Sequence, residues 1–372
     1  MSPRIVHLVA AARPNFMKVA PLWHALKAAP DFRPVLVHSG QHYDVNMSDA
    51  FFRDLGLPEP DHHLGIGSGS HAAQTAGVMI AYEKVALASR PDWLVVVGDV
   101  NSTAACAMVA AKLQIPLVHL EAGLRSRDKA MPEEVNRLVT DCLADVLWTP
   151  SPDADSNLVA EGVDAALISR VGNIMIDSFE LVRPAIATAG CARRFGLERG
   201  GYGVVTLHRP SNVDDPAELG RLTASLASVQ QHLPLVFPVH PRTRARLAAA
   251  KLDASLAAAG VHLVEPLSYV EFMSLVTGCA AAITDSGGVQ EETTYLGIPC
   301  LTLRRNTERP ITIHEGTNRL VCADTLLESL LQALQARRPA RRCPQYWDGR
   351  TAARCVADLR RRSTEDAALA AE

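Results

Sequence analysis

Two carboxylic acids occupy positions in the sequence from which they could act on a bound substrate. Asp99 and Glu121 each follow a run of apolar residues directly, in the motifs GDVNST and HLEAGLRS. A half-buried carboxylate is costly unless it is paired or used in chemistry. We therefore expect Glu121 to be an acid or a base with a raised pKa. The alternatives are a structural ion pair between Glu121 and Arg125, and a role for Asp99 as the cap of the next helix.

A further acid lies in the motif MPEEVNR, which is typical of a helix start. A proline in the first turn and acids near the positive end of the helix dipole both favour that structure. Glu133 and Arg137 are four residues apart and would share one face of the helix. They are candidates for catalysis, although the same pair on an exposed face would contribute only about 0.3–0.5 kcal/mol.

Basic and polar residues follow the first two predicted strands. Arg13 and Lys18 lie in AARPNFMK, where small residues and a helix start favour the binding of an anion such as phosphate. Gln41 and His42 lie in SGQHYD and could bind sugar hydroxyls. The alternative for each motif is an ordinary turn that exposes polar side chains.

Histidine and arginine follow apolar segments in the second half of the chain. His208 and Arg209 lie in TLHRP, and His240 lies in FPVHPR as a weaker instance of the same pattern. Histidine and arginine at the end of a strand suit a diphosphate. The alternative is that these are histidines of ordinary loops.

The motif TDSGGVQEE is the most informative in the sequence. An apolar segment leads into Ser286, Gly287 and Gly288 and then into a predicted helix. Two glycines allow backbone N–H groups to surround an anion, and the helix N-terminus adds partial positive charge. We expect this motif to hold a diphosphate and Glu292, one turn later, to bind two ribose hydroxyls. A Gly-Gly turn by itself is common in proteins.

Short β-branched segments alternate with Ala- and Leu-rich helical segments along the chain. Apolar strands in such alternation predict parallel sheets covered on both faces, with ligands at the carboxyl ends of the strands. The fold class is therefore α/β, with two doubly wound parallel-sheet (Rossmann-like) domains facing a cleft. We place the first domain at 1–175 and the second at 176–354, with a helix at about 355–372 that packs back on the first. The predicted strands are Arg4–Ala10, Arg33–His38, Trp93–Val97, Leu117–Leu120, Val146–Thr149, Gly203–Leu207, Leu235–Val239, His262–Val264, Ala281–Thr284 and Cys300–Leu303.

The composition excludes several classes of protein. The chain has 372 residues, 48% of them hydrophobic and 21% charged, with a net charge of −3. This predicts a two-domain globular protein without the basic surface of a nucleic-acid-binding protein. No run reaches the roughly 18 apolar residues of a membrane helix. The cysteines form no CxxC motif, and the N-terminal apolar run is typical of a first strand, so we expect reduced thiols and a cytoplasmic protein.

Cofactor motifs are not recognisable in the sequence. The run Gly65-Ile-Gly67-Ser-Gly69 follows a polar Asp-His-His segment, which we do not predict to be a strand, so it is a poor dinucleotide loop. His62 and His63 lack a plausible third ligand nearby. We therefore predict no metal and no nicotinamide cofactor.

Together these motifs resemble those of the non-hydrolysing UDP-N-acetylglucosamine 2-epimerases, over about residues 4–355. HLEAGLRS, MPEEVNR, TLHRPSNVDD, ITDSGGVQEE and NTERP occur in the order found in that family. The resemblance implies a fold of the glycosyltransferase-B type. It implies catalytic roles for Asp99, Glu121, Glu133, Arg137 and His208. It implies UDP binding by Arg13, Lys18, Phe272, Ser286, Gly287, Gly288, Glu292 and Arg309.

The resemblance also implies an activity. UDP would leave C1 of the sugar as C2 loses its proton, giving 2-acetamidoglucal, and would then add back as C2 is protonated from the other face. The substrates would be UDP-N-acetylglucosamine and UDP-N-acetylmannosamine, which supply amino sugars for cell-surface polysaccharide, and the enzyme would be a homodimer. Gln41, His42 and Glu133 match positions where some members bind an activating second substrate, but Asp44 departs from the Gln or Glu of regulated members.

Several alternatives stay open at this point. A hydrolysing epimerase would release UDP and free N-acetylmannosamine, and a 2-epimerase of a modified UDP-acetamido sugar would share the same motifs. A glycosyltransferase of the same fold would need an acceptor groove and has no reason to carry Glu121, Glu133 and Arg137 together. A nucleotide-sugar sensor would not need intact acids. The sequence does not assign which carboxylate is the base and which is the acid.

Overall fold

The computed structural model describes residues 2–11, 13–40, 55–336 and 343–369. The chain divides into two compact units. The first comprises Met1–Leu181 and Gln345–Glu372, and the second comprises Val182–Pro344.

The first unit is built on a parallel sheet whose described strands are arranged in the order β3-β2-β1-β4-β5-β6-β7. Its central strands are β-branched and fully buried, because helices cover both faces of the sheet. The strands are β1 Arg4–Ala10, β2 Phe32–His38, β3 His62–His63, β4 Trp93–Val97, β5 Leu117–Leu120, β6 Val146–Thr149 and β7 Ile168–Arg170. The helices are α1 Arg13–Ala28, α2 His71–Ala88, α3 Asn101–Leu113, α4 Pro132–Leu143, α5 Pro152–Ala160, α6 Ile174–Ala189, which continues into the second unit, and α16 Thr351–Leu369.

The last helix, α16, belongs to the first unit. The carboxylate of Asp177 accepts hydrogen bonds from the backbone N–H groups of Thr351 and Ala352, at 3.1 and 2.8 Å, and so caps the start of this helix. Further along, Ser363 Oγ accepts a hydrogen bond of 3.1 Å from the indole of Trp93, at the start of β4. These contacts fix the C-terminal helix to the first sheet.

The second unit repeats the same architecture with its strands in the order β10-β9-β8-β11-β12-β13, all parallel. Its core consists of aliphatic side chains from the strands and from the helices that flank them. The strands are β8 Gly203–Thr206, β9 Leu235–Pro238, β10 His262–Val264, β11 Ala281–Thr284, β12 Cys300–Leu303 and β13 Asn318–Val321. The helices are α7 Cys191–Arg194, α8 Pro210–Val213, α9 Pro216–Gln230, α10 Pro241–Ala249, α11 Leu252–Ala258, α12 Tyr269–Gly278, α13 Gly287–Leu296, α14 Ile311–His314 and α15 Leu326–Gln335.

The predicted fold class is confirmed: the chain folds into two doubly wound, Rossmann-like α/β units. The prediction that Asp-His-His is not a strand was wrong, because His62 and His63 pair in parallel with Val37 and His38 at the edge of the first sheet. Two further edge strands, β7 and β13, were also missed. In the part of the chain that the structure describes, no helix is both long and apolar enough to cross a lipid bilayer.

Candidate active site

The register of the first sheet places two of the candidate acids side by side. Val97, the last residue of β4, pairs with Leu120, the last residue of β5. The chain then leaves both strands at the same edge of the sheet, where Asp99 and Glu121 follow. This is the edge at which parallel α/β sheets bind their ligands.

Glu121 is buried and forms an ion pair with Lys18, which lies on α1 after β1. Glu121 has a φ of +71°, a backbone conformation that non-glycine residues rarely adopt and that is often found at functional sites. Gly98 packs against this ion pair. A Cβ atom at Gly98 would lie 3.2 Å from the Lys18 ammonium, so a side chain at this position would crowd the pair.

Asp99 forms an ion pair with Arg137 of α4, and the Asp99 side chain is about one-third exposed. The helix that follows Asp99 is capped by Val100 without a side-chain hydrogen bond, so Asp99 does not act as its N-cap. Arg137 is buried and also binds the carboxylate of Glu134 through Nη2 at 2.8 Å. The guanidinium thus holds the Asp99 carboxylate at the strand end.

The two glutamates of MPEEVNR have different environments. Glu134 is buried and accepts hydrogen bonds from the backbone N–H groups of Ser126 and Arg127, at 2.9 and 2.8 Å. Burial acts to raise the pKa of Glu134, but these N–H groups and the guanidinium of Arg137 outweigh it and hold that pKa below its usual value. Glu133 is solvent-exposed. The alternative of a surface pair between Glu133 and Arg137 was therefore wrong, because Arg137 binds Glu134 and Asp99 instead.

Arg125 contacts acids other than Glu121. Its guanidinium lies 2.7 Å from Asp141 of α4 and binds both carboxylate oxygens of Glu161. Asp141 in turn lies 2.5 Å from the ring of His119. The alternative of a Glu121–Arg125 ion pair was wrong, since Glu121 binds Lys18.

In the second unit, Asp285 organises the residues at the ends of β8 and β11. Asp285 is fully buried, and Oδ1 lies 2.8 Å from Nδ1 of His208. The carboxylate also accepts hydrogen bonds from the backbone N–H of Arg209, at 2.9 Å, and from the side chain of Asn212, at 3.0 Å. Burial acts to raise the pKa of Asp285, but the hydrogen bond from His208 and the other donors hold that pKa below its usual value.

His240 lies beside His208, with 5.9 Å between the ring centroids. Its Nδ1 accepts a hydrogen bond of 3.2 Å from the backbone N–H of Arg242 and caps α10. Burial is the largest cause that lowers the pKa of His240, and the nearby His208 lowers it further. A neutral His240 can therefore present Nε2–H as a donor next to His208.

The SGG motif opens helix α13 as predicted, with Ser286 at its N-cap. A Cβ atom at Gly287 would lie only 2.6 Å from Nη1 of Arg309, so the guanidinium lies directly against the backbone there. Arg309 is held by Glu291 at 2.7 Å and by Glu308 at 2.6 Å. Burial acts to raise the pKa of Glu308, but the charges of Arg309 and Arg304 hold it well below its usual value. The guanidinium of Arg309 and the N–H groups at the start of α13 thus lie together at this turn.

Glu292 is buried one turn into α13 and accepts a hydrogen bond of 2.7 Å from Oη of Tyr269. Burial raises the pKa of Glu292 to about 8 even though the Tyr269 hydroxyl acts in the opposite direction. Phe272 lies three residues after Tyr269 on α12 and is half-buried. Glu292 and the hydroxyl oxygen of Tyr269 are polar groups of the kind that bind ribose hydroxyls.

Three of the candidate residues cannot be placed in this way. Arg13 begins α1, but its side chain is not among the described parts of the structure, and Gln41 and His42 lie outside the described residues. Conversely, Asp285, Tyr269 and Glu308 contact the candidate residues and were not predicted. Asp285 could have been suspected, because it directly precedes Ser286 in the TDSGG motif. Within the described residues, no group of three or more His, Cys, Asp or Glu side chains is placed to hold a metal ion.

Comparison with known proteins points to one family. A family model described as UDP-N-acetylglucosamine 2-epimerase matches residues 24–360. The UDP-N-acetylglucosamine 2-epimerase of Methanocaldococcus jannaschii is 38% identical over 335 residues, which cover 88% of this chain and 90% of that protein. The UDP-2,3-diacetamido-2,3-dideoxy-D-glucuronate 2-epimerase of Pseudomonas aeruginosa is 38% identical over 332 residues, covering 88% and 91%. The crystal structure of the M. jannaschii enzyme in complex with UDP-GlcNAc and UDP superposes with a TM-score of 0.86 at 36% identity, covering 95% of this chain and 99% of that one.

Proposed function

Because this chain belongs to the UDP-N-acetylglucosamine 2-epimerase family, we propose that it interconverts UDP-N-acetylglucosamine and UDP-N-acetylmannosamine by inverting the configuration at C2. The observation that carries this proposal is the arrangement of acids at one edge of the first sheet. Asp99 and Glu121 follow adjacent strands, and each is held by a basic side chain, Arg137 and Lys18 respectively. Inversion requires a proton to leave one face of the sugar and another to arrive on the opposite face, which two acids can accomplish.

The chemistry of the substrate determines the order of bond changes. The C2–H bond is not adjacent to a carbonyl group, so simple removal of its proton is very difficult. If the C1–O bond to UDP breaks as a base takes the C2 proton, the electron pair of C2–H forms the C1–C2 double bond of 2-acetamidoglucal. UDP then adds back to C1 while an acid delivers a proton to the other face of C2. We propose Asp99, Glu121 and Glu133 as the acid–base groups.

The leaving diphosphate needs stabilisation, because negative charge accumulates on it in the transition state. In the second unit, His208, Arg209, His240 and Arg309 supply donors and positive charge near the N-terminus of α13. We propose that they bind the diphosphate together with Ser286, Gly287 and Gly288, and that Glu292 and Phe272 hold the nucleoside. We also propose that Arg13 and Lys18 bind the substrate and that Gln41 and His42 contact its sugar.

One comparison favours a different UDP-sugar as the substrate. The P. aeruginosa relative acts on a 2,3-diacetamido glucuronate and is as similar in sequence as the M. jannaschii enzyme, at 38% identity for both. An additional acetamido group and a carboxylate would need further donors in the sugar pocket. Assaying both UDP-sugars with the same preparation decides between them.

The experiment that tests this proposal is the reaction in D₂O, followed by NMR. Since the proton is removed and replaced, deuterium should enter C2 of the product, and the equilibrium mixture should contain the gluco and manno UDP-sugars without added metal or nicotinamide. Complete conversion to UDP and free N-acetylmannosamine would instead identify a hydrolysing enzyme. Retention of the original hydrogen at C2 would refute elimination and re-addition.

We also propose that the enzyme forms a homodimer through the first unit. Helix α2 exposes two large apolar side chains on one face, Ile80 at 60% and Leu87 at 67%. We propose that these two side chains form the centre of the interface between the two copies. Light scattering should give twice the chain mass for the wild type and the mass of one chain for Ile80→Glu; a monomeric wild type would contradict the proposal.

We place the enzyme in the cytoplasm, where it would supply amino sugars for cell-surface polysaccharide. Buried thiols such as Cys106 and Cys355 support this location, because unpaired core cysteines are typical of a reducing compartment. Activity confined to the membrane or exported fraction of fractionated cells would contradict it.

A further inference from the structure

His119 is a fully buried histidine that the mechanism above does not use. It lies on β5, two residues before Glu121, in the interior of the first sheet. Nδ1 lies 2.5 Å from Oδ1 of Asp141, and Nε2 lies 2.8 Å from the carbonyl oxygen of Gly98. Both ring nitrogens are therefore engaged.

Both partners of His119 are hydrogen-bond acceptors. A backbone carbonyl cannot donate, so Nε2 must carry a proton. Asp141 already accepts hydrogen bonds at its other oxygen, from Arg125 at 2.7 Å and from the backbone N–H of Gly123 at 3.1 Å. Burial acts to raise the pKa of Asp141, but His119 and Arg125 hold that pKa below its usual value. The ring of His119 thus bridges a buried carboxylate and a backbone carbonyl.

The His119–Asp141 pair contacts both turns that carry the candidate acids, one after β4 and the other after β5. Gly98, whose carbonyl binds Nε2, directly precedes Asp99, and Gly123, whose N–H binds Asp141, lies two residues after Glu121. We infer that His119 is a positioning residue: together with Asp141 it ties the two turns and thereby sets the separation between the carboxylates of Asp99 and Glu121. This inference rests on the proposed function of those acids.

The same sheet provides a comparison. His7, on β1, is also fully buried, but its Nδ1 faces the hydroxyl of Tyr82 at 3.3 Å and contacts neither turn. Burial and the nearby His62 lower the pKa of His7 to about 4, so this ring is neutral. His7 is therefore a matched control for the loss of a buried imidazole from the first unit.

The test compares substitutions at the two histidines. His119→Asn keeps a donor near Nδ1 and His119→Gln keeps one near Nε2, so each retains one of the two contacts. A displacement on the order of 1 Å can cost about 100-fold in rate. We expect kcat to fall about tenfold or more in both variants, with KM and the Kd for UDP within about twofold of wild type. His7→Gln should lower the melting temperature but leave kcat within about twofold.

The contact of Nε2 is measured separately, by ¹⁵N NMR of the His119 ring. We expect a proton on Nε2 of His119, because that nitrogen faces the carbonyl oxygen of Gly98. An Nε2 of His119 without a proton, or equal losses of kcat in the His7 and His119 variants, would overturn the inference. If the wild-type enzyme epimerises neither UDP-sugar, the proposed function fails, whereas the NMR result still decides whether Nε2 of His119 donates to Gly98.

Discussion

Nδ1 of His208 lies 2.8 Å from a carboxylate oxygen of Asp285, which is fully buried. This contact orients the imidazole, so that Nε2 is the nitrogen left to act on a ligand. Asp285→Asn keeps the shape of the side chain but removes its negative charge. The amide can then stabilise the wrong tautomer of the His208 ring. We expect kcat to fall about 10²–10³-fold, comparable to the loss of one oxyanion donor. Steady-state kinetics at several pH values measures this.

Asp214→Asn is the matched control for this substitution. Asp214 is a carboxylate of the same unit that pairs with Arg242 and Arg246 on the surface. A surface ion pair contributes little, so kcat should stay within about twofold of wild type. Equal effects of the two substitutions would mean that the contact between Asp285 and His208 has no role in turnover.

Glu121→Gln should abolish most of the activity while leaving UDP binding intact. Glutamine is similar in size but carries no charge and cannot exchange a proton, so turnover should fall about 10²–10⁴-fold. Titration calorimetry with UDP should give a Kd within about threefold of wild type, since UDP contacts are proposed mainly in the second unit. Glu161→Gln, which loses a partner of Arg125, is the control carboxylate. Near-normal turnover in Glu121→Gln would refute its catalytic role.

Adjacent glutamates on α4 should give opposite phenotypes. Glu134 is buried and binds backbone N–H groups and Arg137, so Glu134→Gln should lower the melting temperature by several degrees. Folding lowers the pKa of Glu134. Its contribution to the stability of the protein is therefore present above the pKa of the unfolded state and is lost as the pH falls through the pKa of the folded state. Glu133→Gln should leave the melting temperature unchanged and lower kcat. The reverse assignment of phenotypes would contradict the proposed roles.

The sequence predicted the central strands well but missed three of the four strands at the edges of the described sheets. Trp93–Val97 and Ala281–Thr284 were predicted with the observed bounds, because fully buried strands are continuous apolar runs. By contrast, β3, β7 and β13 lie at or next to sheet edges, are short and are only partly buried. Their pairing depends on a neighbouring strand that is distant in sequence, and no local pattern encodes it.

The sequence predicts which residues belong to the candidate site, but it does not predict which side chains pair with them. Asp99, Glu121 and Ser286 were identifiable because each follows a strand at the ligand-binding edge. The side chain that pairs with each acid depends on tertiary packing. Helical spacing favoured Glu133 as the partner of Arg137, whereas the loop containing Ser126 directs its N–H groups at Glu134 and draws that residue inward.

Gly287→Ala should weaken UDP binding. The added methyl group would lie 2.6 Å from Nη1 of Arg309 and would displace the guanidinium from the start of α13. We expect the Kd for UDP to rise about tenfold, since a charge-assisted hydrogen bond contributes roughly 1.5–3 kcal/mol. Gly220→Ala is the control, because a Cβ atom at Gly220, within α9, has no neighbour within 4 Å. Unchanged UDP affinity in Gly287→Ala would contradict the proposed diphosphate site.

Glu292 should make the stability of the enzyme depend on pH. Burial raises its pKa from 4.5 to about 8, so between these values the unfolded chain releases a proton that the folded chain keeps. The stability conferred by this group is therefore fully present below its unfolded pKa and is lost as the pH rises through about 8. Glu292→Gln removes this loss, so the decrease in melting temperature between about pH 5 and about pH 9 should be smaller in the variant than in wild type. Glu265→Gln, at an exposed carboxylate of the same unit, should preserve the wild-type slope. Identical slopes in wild type and Glu292→Gln would show that Glu292 is not held protonated by its burial beside Tyr269.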